Sequence, residues 1–355
     1  MRPAIRYFNT SGPNFRDEHY TLEREALVAV GLDKVRKSRY FTIWAPRQSG
    51  KSTYFSFLAE ELEREGYKVA NINFENFRTN SISTFLRTLK TELGHFYGLD
   101  FREDTDMTSI FQRVMAEASN KYVLIIDEVE GINPEYFGEF LHTIRNAYHS
   151  RRRHGLKSVI FVGVANITGV VSDNASPFNI SDSLQIGYFT KEETYELLEQ
   201  HEQETGQVFE KVVKEKIFAI TAGQPGLVNG FGLRLTEQCA EKPVIDYLDY
   251  LSAEHWYLYK ALDKNVSNVI NKAKAHQQFL EELLFLDKKM PFDIDSERTR
   301  YFHINGLIKE DADENIVFWV PLYKKRLQKY FYPAMNGESQ QICCPRSQRL
   351  GRQPA

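Results

Sequence analysis

Two clusters of reactive side chains stand out in the sequence, Gly50-Lys51-Ser52 and Asp127-Glu128. The first ends the run Ala45-Pro46-Arg47-Gln48-Ser49-Gly50-Lys51-Ser52-Thr53, which has the spacing of a loop that wraps a phosphate. In such a loop successive backbone N–H groups and the positive end of the next helix converge on an anion. A lysine adds a point charge, and the hydroxyl beside it faces Mg²⁺. Pro46, Arg47, Gln48, Ser49, Gly50, Lys51, Ser52 and Thr53 are therefore the candidate phosphate-binding residues, with Ser52 also a candidate metal ligand. Gly50 is expected to be indispensable because the backbone approaches the phosphate too closely for a Cβ. Ala45 stands where these loops usually begin with glycine, a turn that alanine accepts while φ stays negative.

The second cluster closes the run Tyr122-Val-Leu-Ile-Ile-Asp127-Glu128. Five apolar residues predict a buried central strand, and its two carboxylates fall at the carboxyl end, where open α/β sheets bind their ligands. Asp127 is the candidate metal residue and Glu128 the candidate general base for an attacking water. Together with the loop, the chemistry is that of ATP and Mg²⁺. A glutamate beside the metal aspartate also goes with an extra strand inserted between the loop strand and the Asp-Glu strand. The run Ser158–Val164 is the candidate insert, and Asn166 at its tip is the candidate γ-phosphate contact. A plain strand-to-loop turn explains Asn166 equally well.

Elements that would position these groups follow from periodicity. Strand-like runs at Tyr40–Ala45, Tyr67–Phe74, Tyr122–Asp127, Ser158–Val164 and Ser183–Tyr188 alternate with helical patterns at 51–65, 81–97, 108–119 and 133–150. Such alternation predicts a parallel sheet with helices on both faces. Beyond Thr190, which opens the capping box Thr190-x-x-Glu193, the pattern turns helical: 191–205, 210–221, 225–240 and much of 244–290. Ala222-Gly223-Gln224-Pro225-Gly226 ends one helix and starts the next. That is sufficient as structure; the functional alternative has the new helix end, with Pro225, packing over the nucleotide. Ser296–Gly306 predicts a helix entering a turn, and Leu307–Lys309 pairs with Ile316–Val320 as a hairpin, the outline of a winged helix. The tail 336–355 is polar and aperiodic and is expected to be disordered.

Composition narrows the class. The chain has 355 residues, 42% hydrophobic and 13% aromatic, enough for two or three packed cores. A net charge of −3 argues against a globally nucleic-acid-binding surface, leaving only local patches. These are Arg151-Arg152-Arg153, read as a solvated run, an arginine finger or a phosphate-backbone contact, and Lys324-Lys325-Arg326 with Lys329. Three cysteines without metal spacing build no disulfide framework and fit a cytoplasmic protein. No run reaches membrane-spanning length, so no membrane partner is expected.

With these residues in hand, the chain resembles a bacterial AAA-like ATP-binding family related to the STAND nucleotidases and archaeal-type ATPases. The likeness rests on Tyr7-Phe8-Asn9-Thr10-x-Gly12-Pro13, Ala45–Ser52, Asp127-Glu128, Ser176-Pro-Phe-Asn-Ile180, Phe189-Thr190-x-Glu192-Glu193, Glu204-Thr205-Gly206 and Gly223-Gln-Pro-Gly-Leu-Val-Asn229. Arg300-Tyr301 and Asn305-Gly306-Leu307-Ile308 resemble its winged-helix end. The resemblance implies an α/β P-loop NTPase fold of the ASCE/AAA-like type at 39–190, with a segment 1–38 whose Asn9–Leu22 stretch lines the adenine pocket. A helical lid at 191–243 and a helical/winged-helix part at 244–335 would follow. It implies an ATP-binding switch with slow Mg-dependent hydrolysis and a homo-oligomeric or protein partner. Relatives carry an arginine where this chain reads Val164-Ala-Asn166, which argues against fast hydrolysis. The rival readings are an ATP-regulated DNA-binding adaptor of the initiator or transposition-regulator type and, more distantly, a small-molecule kinase.

Overall fold

A computed structural model describes residues 6–46, 48–116, 121–151, 153–163, 183–261, 264–274, 276–286 and 289–332. Arg47, Asn166, the Ser176–Ile180 string, Cys343, Cys344 and the tail 336–355 lie outside the described residues.

The first half is a five-stranded parallel sheet built from β1 (Phe41–Trp44), β2 (Lys68–Asn73), β3 (Tyr122–Asp127), β4 (Leu156–Gly163) and β5 (Ser183–Gln185). Their spatial order is β2-β3-β4-β1-β5. Thus β4 lies between the loop strand and the Asp-Glu strand, paired with β1 on one side and β3 on the other. This is the insertion expected of Ser158–Val164. Strand alternation sorts the side chains into two cores. Leu124, Ile126, Val159 and Phe161 pack against α3 (Ile82–Tyr97), α4 (Met107–Ala116) and α5 (Pro134–Ser150). Val123, Ile125, Ile160 and Val162 pack against α1 (Glu25–Arg36) and α2 (Lys51–Arg64). Five of the six residues of β3 are apolar and all six are buried, as a strand covered on both faces requires. The fifth strand is shorter than the run Ser183–Tyr188 predicts. Ile186 still donates to the Trp44 carbonyl (3.2 Å), after which the chain leaves the edge of the sheet.

The second half contains α6 (Lys191–Thr205), α7 (Lys211–Thr221), α8 (Pro225–Gln238), α9 (Tyr247–Tyr259), α10 (Lys264–Lys274), α11 (Gln277–Phe285), α12 (Glu297–Ile304) and α13 (Pro321–Phe331). The capping box at Thr190 is present in full. A two-residue parallel pair, β6 (Val208–Phe209) with β7 (Val244–Ile245), joins the α6–α7 and α8–α9 connections. Runs so short carry no periodicity to read. A hairpin of β8 (Ile308–Glu310) and β9 (Ile316–Phe318) precedes α13. The buried apolar residues of α6 to α13 form one continuous cluster, which also takes in Phe8, Tyr20 and Leu22.

The N-terminal segment is stitched onto α6 rather than onto the sheet. The Gln200 side chain accepts from the Thr21 N–H (3.0 Å) and donates to its carbonyl (2.7 Å), imitating a strand partner. Tyr20 Oη meets buried His201 Nδ1 at 3.1 Å, and Arg6 pairs with Glu204 (2.8 Å).

One glycine sets the position of α8 against the sheet half. Gly223 has φ 73°, its carbonyl accepts from the Phe189 N–H (2.8 Å), and a Cβ there would collide with the Phe189 carbonyl. Gly223→Val is expected to destabilise the protein by about 1–3 kcal/mol or more. A chemical-denaturation midpoint equal to the parent's would contradict this account of the turn.

Candidate functional site

The loop between β1 and α2 owes its shape to two left-handed residues. Gly50 has φ 87° and Gln48 φ 54°; the latter is uncommon outside glycine and costs on the order of 1–3 kcal/mol unless its surroundings hold it. Apart from its chain neighbours, no atom of the described residues lies within 4 Å of where a Cβ at Gly50 would sit. Glycine is therefore needed there for its backbone angle. Gln48 is held by α8: its carbonyl accepts from the Gly226 N–H (3.4 Å) and from the Gln224 side chain (3.3 Å). Its own side chain packs on Gly226, leaving no room for a Cβ.

Beyond Gly50, α2 begins with no side chain capping its first N–H groups, so these donors keep their demand for a partner. Ser49 is 1% exposed and its Oγ has no hydrogen-bond partner among the described residues. Lys51 is also buried, with Nζ 3.3 Å from the Ala45 carbonyl. Uncapped amides, an unsatisfied hydroxyl and a buried ammonium in one turn form a strongly anion-seeking corner.

The acidic pair lies at the end of β3. Asp127 is 7% exposed; its Oδ1 accepts from the Glu128 N–H (3.0 Å) and its Oδ2 from Asn73 Nδ2 (3.3 Å). Burial raises its pKa above the ordinary 3.8, against the Glu128 amide and the positive charge of Lys51. Glu128 adopts φ 51° and ψ 47°, which turns the chain sharply out of the strand. Asn73 ties the end of β2 to the same carboxylate and also accepts from the Glu75 N–H (2.8 Å), fixing the backbone just past the strand. No motif marks Asn73; only the register Asn73–Asp127 between β2 and β3 brings it there.

Next to the loop opens a cavity of about 200 Å³. From the residues singled out in the sequence it gathers Gln48, Ser49, Gly50, Thr53 and Pro225, together with Asn9–Gly12, Asn14, Thr21 and Leu22 of the N-terminal segment. Pro46, Lys51, Ser52, Asp127 and Glu128 are not part of its wall. The charge of Lys51 acting on Asp127 connects the acidic pair with the loop. Pro46 faces the other way, toward Gly306 at the foot of the C-terminal hairpin. The N-terminal segment is seated by the Asn14 N–H donating to Thr53 Oγ1 (3.1 Å). Arg24 bridges Glu193 (2.9 Å) and the Gly187 carbonyl (3.0 Å). Phe57, Phe189, Leu197 and Asn229 also line the wall; Phe189 and Asn229 lie in strings that carry the family resemblance, but no residue-level signal singles them out as site residues.

The other basic residues are directed elsewhere. The Arg234 guanidinium stacks over Trp256 (4.8 Å) and is not in the cavity wall. Arg151 stacks on Tyr148 (3.8 Å) just before β4, at the opposite end of the parallel sheet from the loop. Arg152 lies outside the described residues. Lys325 pairs with Glu254 (2.6 Å), Arg326 donates to the Tyr257 carbonyl (2.8 Å), and Lys329 lies over the Tyr259 ring.

A sequence profile of the AAA-like domain matches residues 13–332. The chain belongs to the AAA-like domain family. Three solved structures resemble this AAA-like chain in fold. The Walker-type ATPase of Pyrococcus abyssi has a TM-score of 0.65 at 14% identity, with 90% of this chain and 99% of that one covered. A RuvB variant of Thermotoga maritima has a TM-score of 0.51 at 13% identity, with 88% and 94% covered. The ORC2 protein of Aeropyrum pernix also has 0.51 at 13%, with 91% and 96% covered. Among curated proteins, none matches the AAA-like chain. None of its described helices is long and apolar enough to cross a membrane.

A pH dependence follows from Asp127. An acid whose pKa is raised on folding stabilises the folded chain below its unfolded pKa, and that contribution is lost as pH rises through the folded value. Without ligand, the parent's stability relative to Asp127→Asn is therefore expected to fall as pH climbs from about 3 through the carboxylate range. Denaturation midpoints of both proteins across that range check it; a flat or rising difference would contradict a carboxyl whose burial outweighs its partners.

Proposed function

We propose that the protein binds ATP with Mg²⁺ between the phosphate loop and α8, and hydrolyses it slowly as a conformational switch. The observation that carries this reading is the uncapped start of α2, with the unpartnered Ser49 hydroxyl and buried Lys51 beside it. The uncapped amides and the Ser49 hydroxyl are donors that triphosphate oxygens would satisfy, and Lys51 adds positive charge beside them.

In this reading the amides of Gln48–Thr53 hold the β- and γ-phosphates, with Pro46 and Arg47 shaping the loop and Lys51 supplying charge. Ser52 and Asp127 hold Mg²⁺. Such an ion would be held by one carboxylate, one hydroxyl, water and phosphate oxygens. Mg²⁺ at that position would neutralise charge on the phosphate oxygens. A cation there would favour the ionised form of the Asp127 carboxylate, which burial disfavours. Glu128 orients water for attack on the γ-phosphorus and takes its proton as ADP leaves. Asn73 steadies Asp127 from the neighbouring strand. Asn166 is the proposed contact to the γ-phosphate, and Pro225 packs against the nucleotide from α8.

Residues 39–190 are proposed as the ATPase core, 191–243 as the lid, 244–335 as a winged-helix module and 1–38 as the adenine-side segment. Two contacts support coupling between them: α8 to the Gln48 carbonyl, and the C-terminal hairpin to the stem of the loop. In the latter, His303 stacks on Trp319 (5.9 Å) and lies 6.1 Å from Trp44. The proposed partner is another protein or another copy of the chain. Duplex DNA is the weaker alternative, because Lys325, Arg326 and Lys329 are engaged within the chain and a phosphate backbone would have to compete with those contacts.

Lys51→Ala is expected to abolish Mg-ATP binding by calorimetry. Glu128→Gln should retain binding while turnover falls roughly 10²–10⁴-fold; equal ATPase rates for the variant and the parent would remove Glu128 from its role.

A further inference from the structure

Inside the cavity wall, on the buried face of α8, sits a polar side chain the phosphate-loop chemistry does not use. Asn229 is 5% exposed, and its neighbours Leu227, Val228 and Phe231 are all buried apolar residues. Its Nδ2 donates to the Pro225 carbonyl one turn back (2.9 Å), while its Oδ1 has no hydrogen-bond partner among the described residues. The orientation of the amide is fixed by that bond: flipping it would set oxygen against the Pro225 carbonyl and leave two acceptors in conflict. Asn229 is a residue of the cavity wall, and the group it leaves unpaired is therefore an acceptor. A buried acceptor left unmet is unfavourable, so a ligand that brings a donor to this spot gains selectively.

We propose that Asn229 Oδ1 reads the exocyclic amine of adenine and makes the site selective for the 6-amino purine. Two observations place the base here rather than the sugar or phosphates. The phosphate end of α8 is marked by Gly226, whose N–H meets the Gln48 carbonyl, and Asn229 lies one helical turn, about 5 Å, further from it. The wall around it includes Leu22, Phe57, Phe189 and Leu197, apolar surface suited to a planar ring. Guanine or hypoxanthine in the same pose would turn a carbonyl toward Oδ1 and leave both acceptors unpaired. The inference rests on the nucleotide-binding reading above and adds to it which atom chooses the base.

The test is calorimetric binding of ATP, purine riboside 5′-triphosphate (the same molecule without the amine) and 2′-deoxy-ATP, each with Mg²⁺, to the parent and to Asn229→Leu and Asn229→Ala. The parent is expected to prefer ATP over the purine analogue by about tenfold or more. In both variants that preference should fall to within about threefold, through loss of ATP affinity, while the purine analogue binds as it does to the parent. Unchanged binding of the analogue also reports that the variants are folded. An ATP-to-purine ratio near one in the parent, or a ratio retained in the variants, overturns the assignment. So does loss of only the ATP-to-deoxy-ATP preference, which would place Asn229 on the ribose. Failure of the parent to bind any of the three would instead sink the phosphate-loop reading itself.

Discussion

The Gln48 carbonyl is where the sheet half and the helical half of the molecule meet in one hydrogen-bonding group. Gln48 lies in a loop whose backbone must pass through left-handed angles to present its amides, and such a conformation persists only when its surroundings hold it. The hold comes from α8, through the Gly226 N–H and the Gln224 side chain. Any ligand that settles on the loop amides therefore acts on a backbone segment already bonded to the helical half. The position of α8 is in turn constrained by Gly223, whose carbonyl bonds to Phe189 immediately before α6. Motion of the loop, α8 and the start of α6 is linked by covalent geometry and three hydrogen bonds rather than by broad packing.

Packing explains why that link reaches further. The helices from α6 to α13 share one apolar cluster with Phe8, Tyr20 and Leu22 of the N-terminal segment. A close-packed core transmits displacement because it has few voids to absorb it. The N-terminal segment, stitched to α6 through Gln200 and His201, forms one wall of the cavity and is tied to the helical half. The C-terminal hairpin touches the stem of the loop through Gly306 against Pro46 and through the Trp44, His303 and Trp319 rings. The site is thus enclosed by parts of the chain far apart in sequence, each joined to the loop by a small number of contacts. That arrangement suits a ligand-sensitive joint better than a rigid cleft.

Much of this architecture is legible in the sequence because its signals are local. Tyr122–Asp127 reads as a buried strand from its unbroken apolar run, and Thr190 with Glu193 reads as a helix start from a capping box that needs only four residues. Gly50 shows where sequence and structure give different reasons for one residue: the sequence argues from close approach to a phosphate, whereas within the chain it is the backbone angle that requires glycine. Asn73 and Asn229 were not legible as site residues. Asn73 reaches Asp127 only through the pairing of β2 with β3, and Asn229 matters only because its amide is locked by Pro225 and buried beside a cavity. Both are consequences of tertiary register, to which a pattern along one chain has no access. The β6–β7 pair was missed for a related reason, since two residues have no period. The basic cluster near α13 shows the opposite limit: its charges look available in sequence, yet Lys325 and Arg326 have partners within the chain.

The central claim is that a nucleotide on the loop amides is felt by α8. Amide hydrogen exchange, followed by mass spectrometry with and without saturating Mg-ATP, tests this most directly. The account predicts slowed exchange in two separate stretches, Gln48–Tyr54 and Gln224–Asn229, in the same protein under the same conditions. Protection of the loop stretch with no change at the start of α8, or no protection at either, would contradict it.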